Sequence, residues 1–169
     1  MTNKRLFLLA LLTFPFSLAF SQSAANVDQL LAAETVTASK AAHFVLGAAN
    51  LLPAPVPPAP PVRGAPPPPP PSAPETVAYD LAVQNGWVKI AASDPITLKD
   101  TAFLIMKAFD MKGGLLYTLF KNPRYAYREL VYRNIIQGRV EPATHVSGQS
   151  LLQIIDRTMS YIGGAQLSF

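Results

Sequence analysis

The apolar positions of this chain fall at helical spacing in three stretches, and the same kind of residue pair opens each stretch. In each pair, a β-branched residue precedes a hydroxyl residue, which can accept the free backbone N–H groups at a helix start. The apolar residues that follow recur every three or four positions, which predicts amphipathic helices with one buried face. The pairs are Val36-Thr37, Ile96-Thr97 and Val146-Ser147.

The three stretches come into register when the sequence is shifted by 60 residues, from Thr37 to Thr97, and by 50 more, to Ser147. The second and third stretches are also preceded by related helical segments, and a polar loop with a proline separates the two parts of each unit. A period of this size is typical of repeat architectures. The sequence therefore predicts an all-α fold whose unit is helix, loop, helix.

The order of features within the units resembles the S-layer homology (SLH) domain. The resemblance covers two repeats and the second half of one more, and it implies an SLH-like repeated helix-loop-helix bundle. It extends to secreted SLH-like envelope proteins of spirochaetes. The matching positions are Tyr125, Ala126, Leu130, residues 134–138, Pro142, Val146 and Ser147 in one unit, and Ala78, Gly86, Pro95, Ile96 and Thr97 in the unit before it.

The residues after each hydroxyl depart from the SLH pattern. SLH repeats have Arg-Ala-Glu there, and the resemblance implies that this arginine helps to hold an anionic wall polysaccharide. All three copies lack it, so the resemblance implies the fold more directly than the ligand. Thr37, Thr97 and Ser147 are still predicted helix caps. Thr97 and Asp100 form the spacing of a capping box, so the middle helix start is expected to be the best defined.

The N-terminal residues carry the pattern of a secretory signal peptide. Lys4 and Arg5 precede an apolar stretch, and small residues follow it before Gln22. This predicts a signal peptide over residues 1–21 and an exported protein of the periplasm or cell envelope, with no membrane-spanning segment after cleavage. An uncleaved anchor is the alternative. The chain has no cysteine, which excludes disulfides and a lipoprotein anchor.

Proline divides the rest of the chain. Thirteen of the 17 prolines lie in residues 53–74, which predicts a disordered or polyproline II linker, either a spacer or a ligand for a partner. Residues 22–52 form a predicted helix pair that is too short to be stable alone and should pack on the main domain. Residues 75–163 form the two repeats, and residues 164–169 form a predicted tail.

The sequence shows no pattern of a catalytic or metal site. His43 and His145 have no further ligand at metal-binding spacing, and Ser147 has no nucleophile elbow around it. We therefore expect a protein that is not an enzyme and has no cofactor. The net charge of +4 falls to about +2 without the signal peptide, which does not indicate nucleic acid as a partner.

One basic segment is the candidate binding surface. Arginine binds carboxylates and phosphates in bidentate fashion, and a tyrosine ring beside it can lie against a sugar. A helix there would place Arg124, Arg128 and Tyr132 on one stripe, which is either a site for an anionic wall glycan such as peptidoglycan or only a solvated face. The alternative partner is an envelope protein, contacted by the linker and the apolar residues 115–120. The candidate ligand-binding residues are Arg124, Arg128, Tyr132, Arg133 and Arg139.

Overall fold

The computed structural model describes residues 18–53, 73–138 and 141–166. Within them the chain is helical, and the only strand-like pairings are two isolated antiparallel bridges. The prediction of an all-α fold is thereby confirmed. The helices are α1 (Leu18–Leu31), α2 (Ala38–Ala48), α3 (Pro74–Gln84), α4 (Leu98–Ala108), α5 (Leu115–Leu119), α6 (Pro123–Tyr132) and α7 (Gly148–Gln166).

Several boundaries differ from those expected. The predicted tail from residue 164 is wrong in its first part, because α7 continues through Gly163 and Gly164 to Gln166. The helix predicted to carry Arg124, Arg128 and Tyr132 is α6; it ends at Tyr132, so residues 133–138 of the matching unit form a turn and not a further helical segment. Residues 1–17 of the predicted signal peptide and residues 54–72 of the proline-rich linker lie outside the described residues, and Pro74 is already the first residue of α3.

Four helices end in the same Schellman turn. A residue with positive φ follows the C-cap, and the N–H of the next residue donates back to the carbonyl five positions earlier, which satisfies an orphan carbonyl of the last turn. The residue that donates is apolar in every case, so the turn directs the chain back toward the core. The positive-φ residues and donor pairs are Asn50 with Leu51 to Leu46, Gly86 with Trp87 to Ala82, Asp110 with Met111 to Met106, and Asn134 with Ile135 to Leu130.

Two of these turns allow a reciprocal test, because Gly86 and Asn134 occupy equivalent positions in successive units. Their φ angles are 68° and 57°. Glycine adopts this region without strain, whereas other residues do so at a cost. We expect Asn134→Gly to raise the free energy of unfolding and Gly86→Asn to lower it, each by about 0.5–1 kcal/mol. Urea denaturation measures both; changes of the same sign would contradict the assignment of the two turns.

The three predicted opening segments meet in a closed triangle of backbone hydrogen bonds. The N–H of Val36 donates to the carbonyl of Val146 (2.9 Å), that of Ile96 to Val36 (2.9 Å), and that of Val146 to Ile96 (3.1 Å). All three side chains are buried at the centre of the core. Each of the three segments therefore donates to one neighbour and accepts from the other.

A second set of bonds joins each helix start to a neighbouring loop. The first N–H of α2, at Ala38, donates to the backbone carbonyl of Asp94 at 2.9 Å. The first N–H of α4, at Leu98, donates to the backbone carbonyl of Thr144 at 2.9 Å. The first N–H of α7, at Gly148, donates to Ala33 at 2.9 Å. The stretch before residue 53 therefore belongs to the same core as the two later units.

The helix caps differ from the prediction that the middle helix start, at Thr97, is the best defined. The Thr37 hydroxyl accepts the N–H of Lys40 at 3.5 Å, and the Ser147 hydroxyl accepts the N–H of Ser150 at 3.3 Å. Thr97 makes no side-chain cap, and its hydroxyl donates to the carboxylate of Asp100. The expectation that Thr97 and Asp100 form a capping box was wrong, since the two side chains bond to each other and the Thr97 hydroxyl accepts no backbone N–H at the helix start.

The core lies between the paired helices of the units. α2 packs against α3, α4 packs against α6, and α1 lies beside α7. Trp87 follows the end of α3 and is partly buried against the core. The largest fully buried side chains include Leu30, Leu46, Ile96, Leu104, Ile105, Met106, Leu130, Ile135 and Leu151.

Candidate functional site

A groove with a volume of about 160 Å³ opens beside the first two turns of α7. It lies between α7, the turn after α6 and the loop that leads into α7. Its floor is apolar and is formed by Leu98, Ile136, Val146 and Ile154. Its rim is polar and carries Gln137, His145, Ser147, Ser150, Gln153 and Arg157.

The helical spacing of α7 brings three of the rim residues together. Ser150, Gln153 and Arg157 are three and four positions apart and share one face of the helix. The Nη1 of Arg157 donates to the carbonyl of Ile135 at 3.4 Å, which ties the guanidinium to the turn after α6. No carboxylate lines the groove among the described residues, so its only permanent charge is that of Arg157.

A second groove of similar volume, about 160 Å³, occupies the equivalent place in the preceding unit. Lys89 stands there where Gln137 stands in the first groove, and Asp100 and Phe103 stand where Ser150 and Gln153 stand. The two grooves therefore share these positions but differ in the rest of their lining, since Trp87, Ile90 and the start of α6 contribute only to the second. The second groove has mixed charge, because Asp100 shares it with Lys89 and Lys121.

The predicted stripe of α6 lies on an open helix face. Arg124, Arg128 and Tyr132 are exposed, whereas the opposite side of α6 is buried in the core. None of the three lines either groove. The stripe is therefore a charged surface on the open side of α6, outside both grooves. Arg139, the remaining candidate, lies outside the described residues.

The structure corrects the expectation for Arg133. Its guanidinium pairs with Glu129 at 2.8 Å, donates to the carbonyl of Lys112, and lies 5.1 Å from the ring centroid of Tyr161. Glu129 in turn accepts the N–H of Gly114 at 2.9 Å. Arg133 therefore joins α6 to the segment before α5 and to α7, and it is not presented to an external ligand.

The two histidines lie in different settings. His145 is exposed on the rim of the first groove, and His43 is partly buried, with its ring centroid 5.5 Å from that of Phe44 and the two rings nearly perpendicular. Among the described residues, no three histidine, cysteine or acidic side chains stand close enough to hold a metal ion. In the same residues, no helix combines the length and apolar character needed to cross a membrane.

Sequence reasoning missed the groove and its residues. A usable signal existed in the repeat register, since Gln153 replaces the apolar Phe103 at the equivalent position of α4, which indicates that this face of α7 has a polar role. The contribution of Gln137 follows only from the position of the turn after α6 beside α7, where Arg157 donates to the carbonyl of Ile135. The chain matches no protein-family model, no curated protein and no solved structure.

Proposed function

We propose that the protein is an exported, non-catalytic SLH-like module of the cell envelope that holds one unit of an anionic wall glycan, such as peptidoglycan, in the groove beside α7. The groove is the observation that carries this proposal. Its apolar floor, its amide and hydroxyl rim and its single guanidinium form one continuous surface. The triangle formed by Val36, Ile96 and Val146 supports the SLH-like architecture that the sequence implies.

The chemistry of the groove suits an acidic sugar. A sugar ring presents an apolar face, which can lie on Leu98, Ile136 and Ile154, and an edge of hydroxyls, which can bond to Gln153 and Ser150. A carboxylate on the sugar or its peptide would pair with Arg157. The volume of about 160 Å³ is below the roughly 300–1,000 Å³ typical of sites for whole small molecules, which favours one residue of a polymer.

Arg157→Gln is expected to weaken binding of the full chain to purified peptidoglycan sacculi about tenfold, because a charge-assisted hydrogen bond contributes about 1.5–3 kcal/mol. Sedimentation with sacculi at two salt concentrations measures this, and the remaining binding should depend less on salt. Lys107→Gln is the matched control. Lys107 holds the equivalent position in α4 and lies outside both grooves, so this change removes the same charge without altering the groove.

Three outcomes would contradict the proposal. Equal binding by Arg157→Gln and the parent chain would remove the groove as the site. If Arg124→Gln together with Arg128→Gln abolished sedimentation while Arg157→Gln did not, the glycan contact would belong to the stripe of α6. Release of soluble muropeptides from the sacculi would contradict the non-catalytic role.

A further inference from the structure

α5 presents an apolar surface to solvent. Leu115 is 86% exposed and Leu119 is 71% exposed, and Leu116 and Phe120 are about half exposed. Tyr117 is the buried side chain of this helix. Contiguous exposed apolar side chains of this kind mark sites of contact with a partner or a lipid surface. The sequence left open whether residues 115–120 form a strand or a helical turn, and the helix turns four large side chains outward.

The surface is held in place by contacts on its inner side. Tyr117 packs so closely under Gly113 that a Cβ on that glycine would lie 2.3 Å from the tyrosine ring. Burial raises the pKa of Tyr117, and the carboxylate of Asp110 adds to the effect. Gly114 is bonded to Glu129, and the ring of Phe120 stacks on Tyr125 at 5.7 Å. These contacts hold in place the segment that carries the exposed leucines.

The segment that carries this surface is basic. Residues 111–128 contain four basic side chains and no acidic one, and Asp110 is the carboxylate just before the segment. The next carboxylate, Glu129, is paired with Arg133. The four basic residues are Lys112, Lys121, Arg124 and Arg128.

The geometry of α6 places two of these cations at the border of the apolar surface. Tyr125 and Glu129 contact the α5 segment. Arg124 and Arg128 each precede one of these contact residues by one position, which puts them on the adjacent flank of the helix, about 100° away. Both arginines are exposed, so their guanidinium groups are available to an anionic partner on this side of α6.

We propose that α5 and its flanking cations dock the protein onto an anionic lipid surface. The leucines and Phe120 enter the boundary between headgroups and acyl chains, while Lys112, Lys121, Arg124 and Arg128 meet the lipid phosphates. Charge complementarity selects this occupant. An anionic bilayer binds both the exposed apolar side chains and the neighbouring cations, whereas an apolar protein interface does not require the cations. The proposal does not depend on what the groove beside α7 binds.

The absence of cysteine allows a local test in the full chain. Leu119→Cys and Ser93→Cys each introduce one thiol for an environment-sensitive nitrobenzoxadiazole label, and Ser93 is an exposed loop residue outside the α5 surface. With vesicles of phosphatidylcholine and phosphatidylglycerol (about 3:1), the label at residue 119 should brighten about threefold or more and shift to the blue, as expected for apolar insertion. The fluorescence of the label at residue 93 should not change. Both variants carry the same apolar N-terminal stretch, so binding through that stretch would not explain a difference between the two labels.

Removal of two cations should reduce the binding. The double variant Arg124→Gln with Arg128→Gln, in the Leu119→Cys background, should raise the lipid concentration for half-maximal signal about tenfold or more. The reason is that each basic residue near an anionic surface contributes separately to the free energy of binding. Pure phosphatidylcholine vesicles should give a much weaker signal. Leu115→Cys provides a second reporter on the same surface, and its 86% exposure makes it safe for folding.

Several results would overturn the proposal. These are a label at residues 115 and 119 that does not respond to anionic vesicles, an equal response to neutral vesicles, and an equal response at residue 93. A signal that grows with protein concentration without lipid would assign the surface to a second copy of the chain. A response only to proteins extracted from the envelope would assign it to a protein partner, and either result would exclude the lipid surface.

Discussion

Gly148→Ala is expected to lower the free energy of unfolding by about 3 kcal/mol, the upper part of the range for overpacked positions. A Cβ at residue 148 would lie 1.6 Å from the carbonyl oxygen of Leu30 and 2.5 Å from its carbon. These atoms belong to the backbone, so no side-chain rotation can relieve the contact. The start of α7 must move away, and the bond from Gly148 to Ala33 is lost with it. Urea denaturation followed by circular dichroism measures the change.

Gly163→Ala is the matched control, because it makes the same substitution in the same helix. A Cβ at residue 163 meets nothing within 4 Å. Alanine is favoured over glycine inside a helix by up to about 1 kcal/mol, so this variant should be as stable as the parent chain or more stable. If Gly148→Ala were as stable as Gly163→Ala, the close approach of α7 to the end of α1 would not exist in solution.

Leu30→Ala is expected to cost about 3 kcal/mol, since large-to-small substitutions of fully buried leucines cost 2–5 kcal/mol. Leu30 is 0% exposed, whereas its neighbour Leu31 in the same helix is 49% exposed. Leu31→Ala should therefore cost less than about 1 kcal/mol. The two variants differ only in which face of α1 loses its side chain. The same urea titrations apply to both.

The comparison of these two leucines tests whether the stretch before residue 53 is part of the folded core. A loss at Leu30 alone requires that α1 is docked on α7 in the native state. Equal and small losses at both positions would mean that α1 contributes nothing to the cooperative unit. Equal and large losses would mean that α1 is buried on both faces, contrary to the structure.

The starts of α2, α4 and α7 could be read from the sequence because they depend on local patterns. The hydroxyl residues that open each unit, and the apolar faces that follow, are properties of a single helix. The triangle of Val36, Ile96 and Val146 could not be read in this way, since its bonds join backbone groups that are distant along the chain. The register of the three units nevertheless identified the residues that form it.

The misreadings have local physical causes. In place of the capping box, the hydroxyl of Thr97 donates to the carboxylate of Asp100, a pairing of side chains that spacing alone does not reveal. Arg133 was grouped with the exposed arginines, although it lies a full 100° round the helix from Tyr132 and meets the folded-back segment at Lys112. The groove escaped notice because its walls come from two helices and a loop, and no single motif contains them.

The triangle also dictates when folding can finish. Two of its three sides involve Val146, which follows Val36 and Ile96 at a long distance along the chain, and loop closure over that distance is slow compared with local helix formation. Until α7 is synthesised, α2 and α4 have apolar faces that the rest of the core does not yet cover. A nascent chain would therefore stay open until that point and seal its interior in one step.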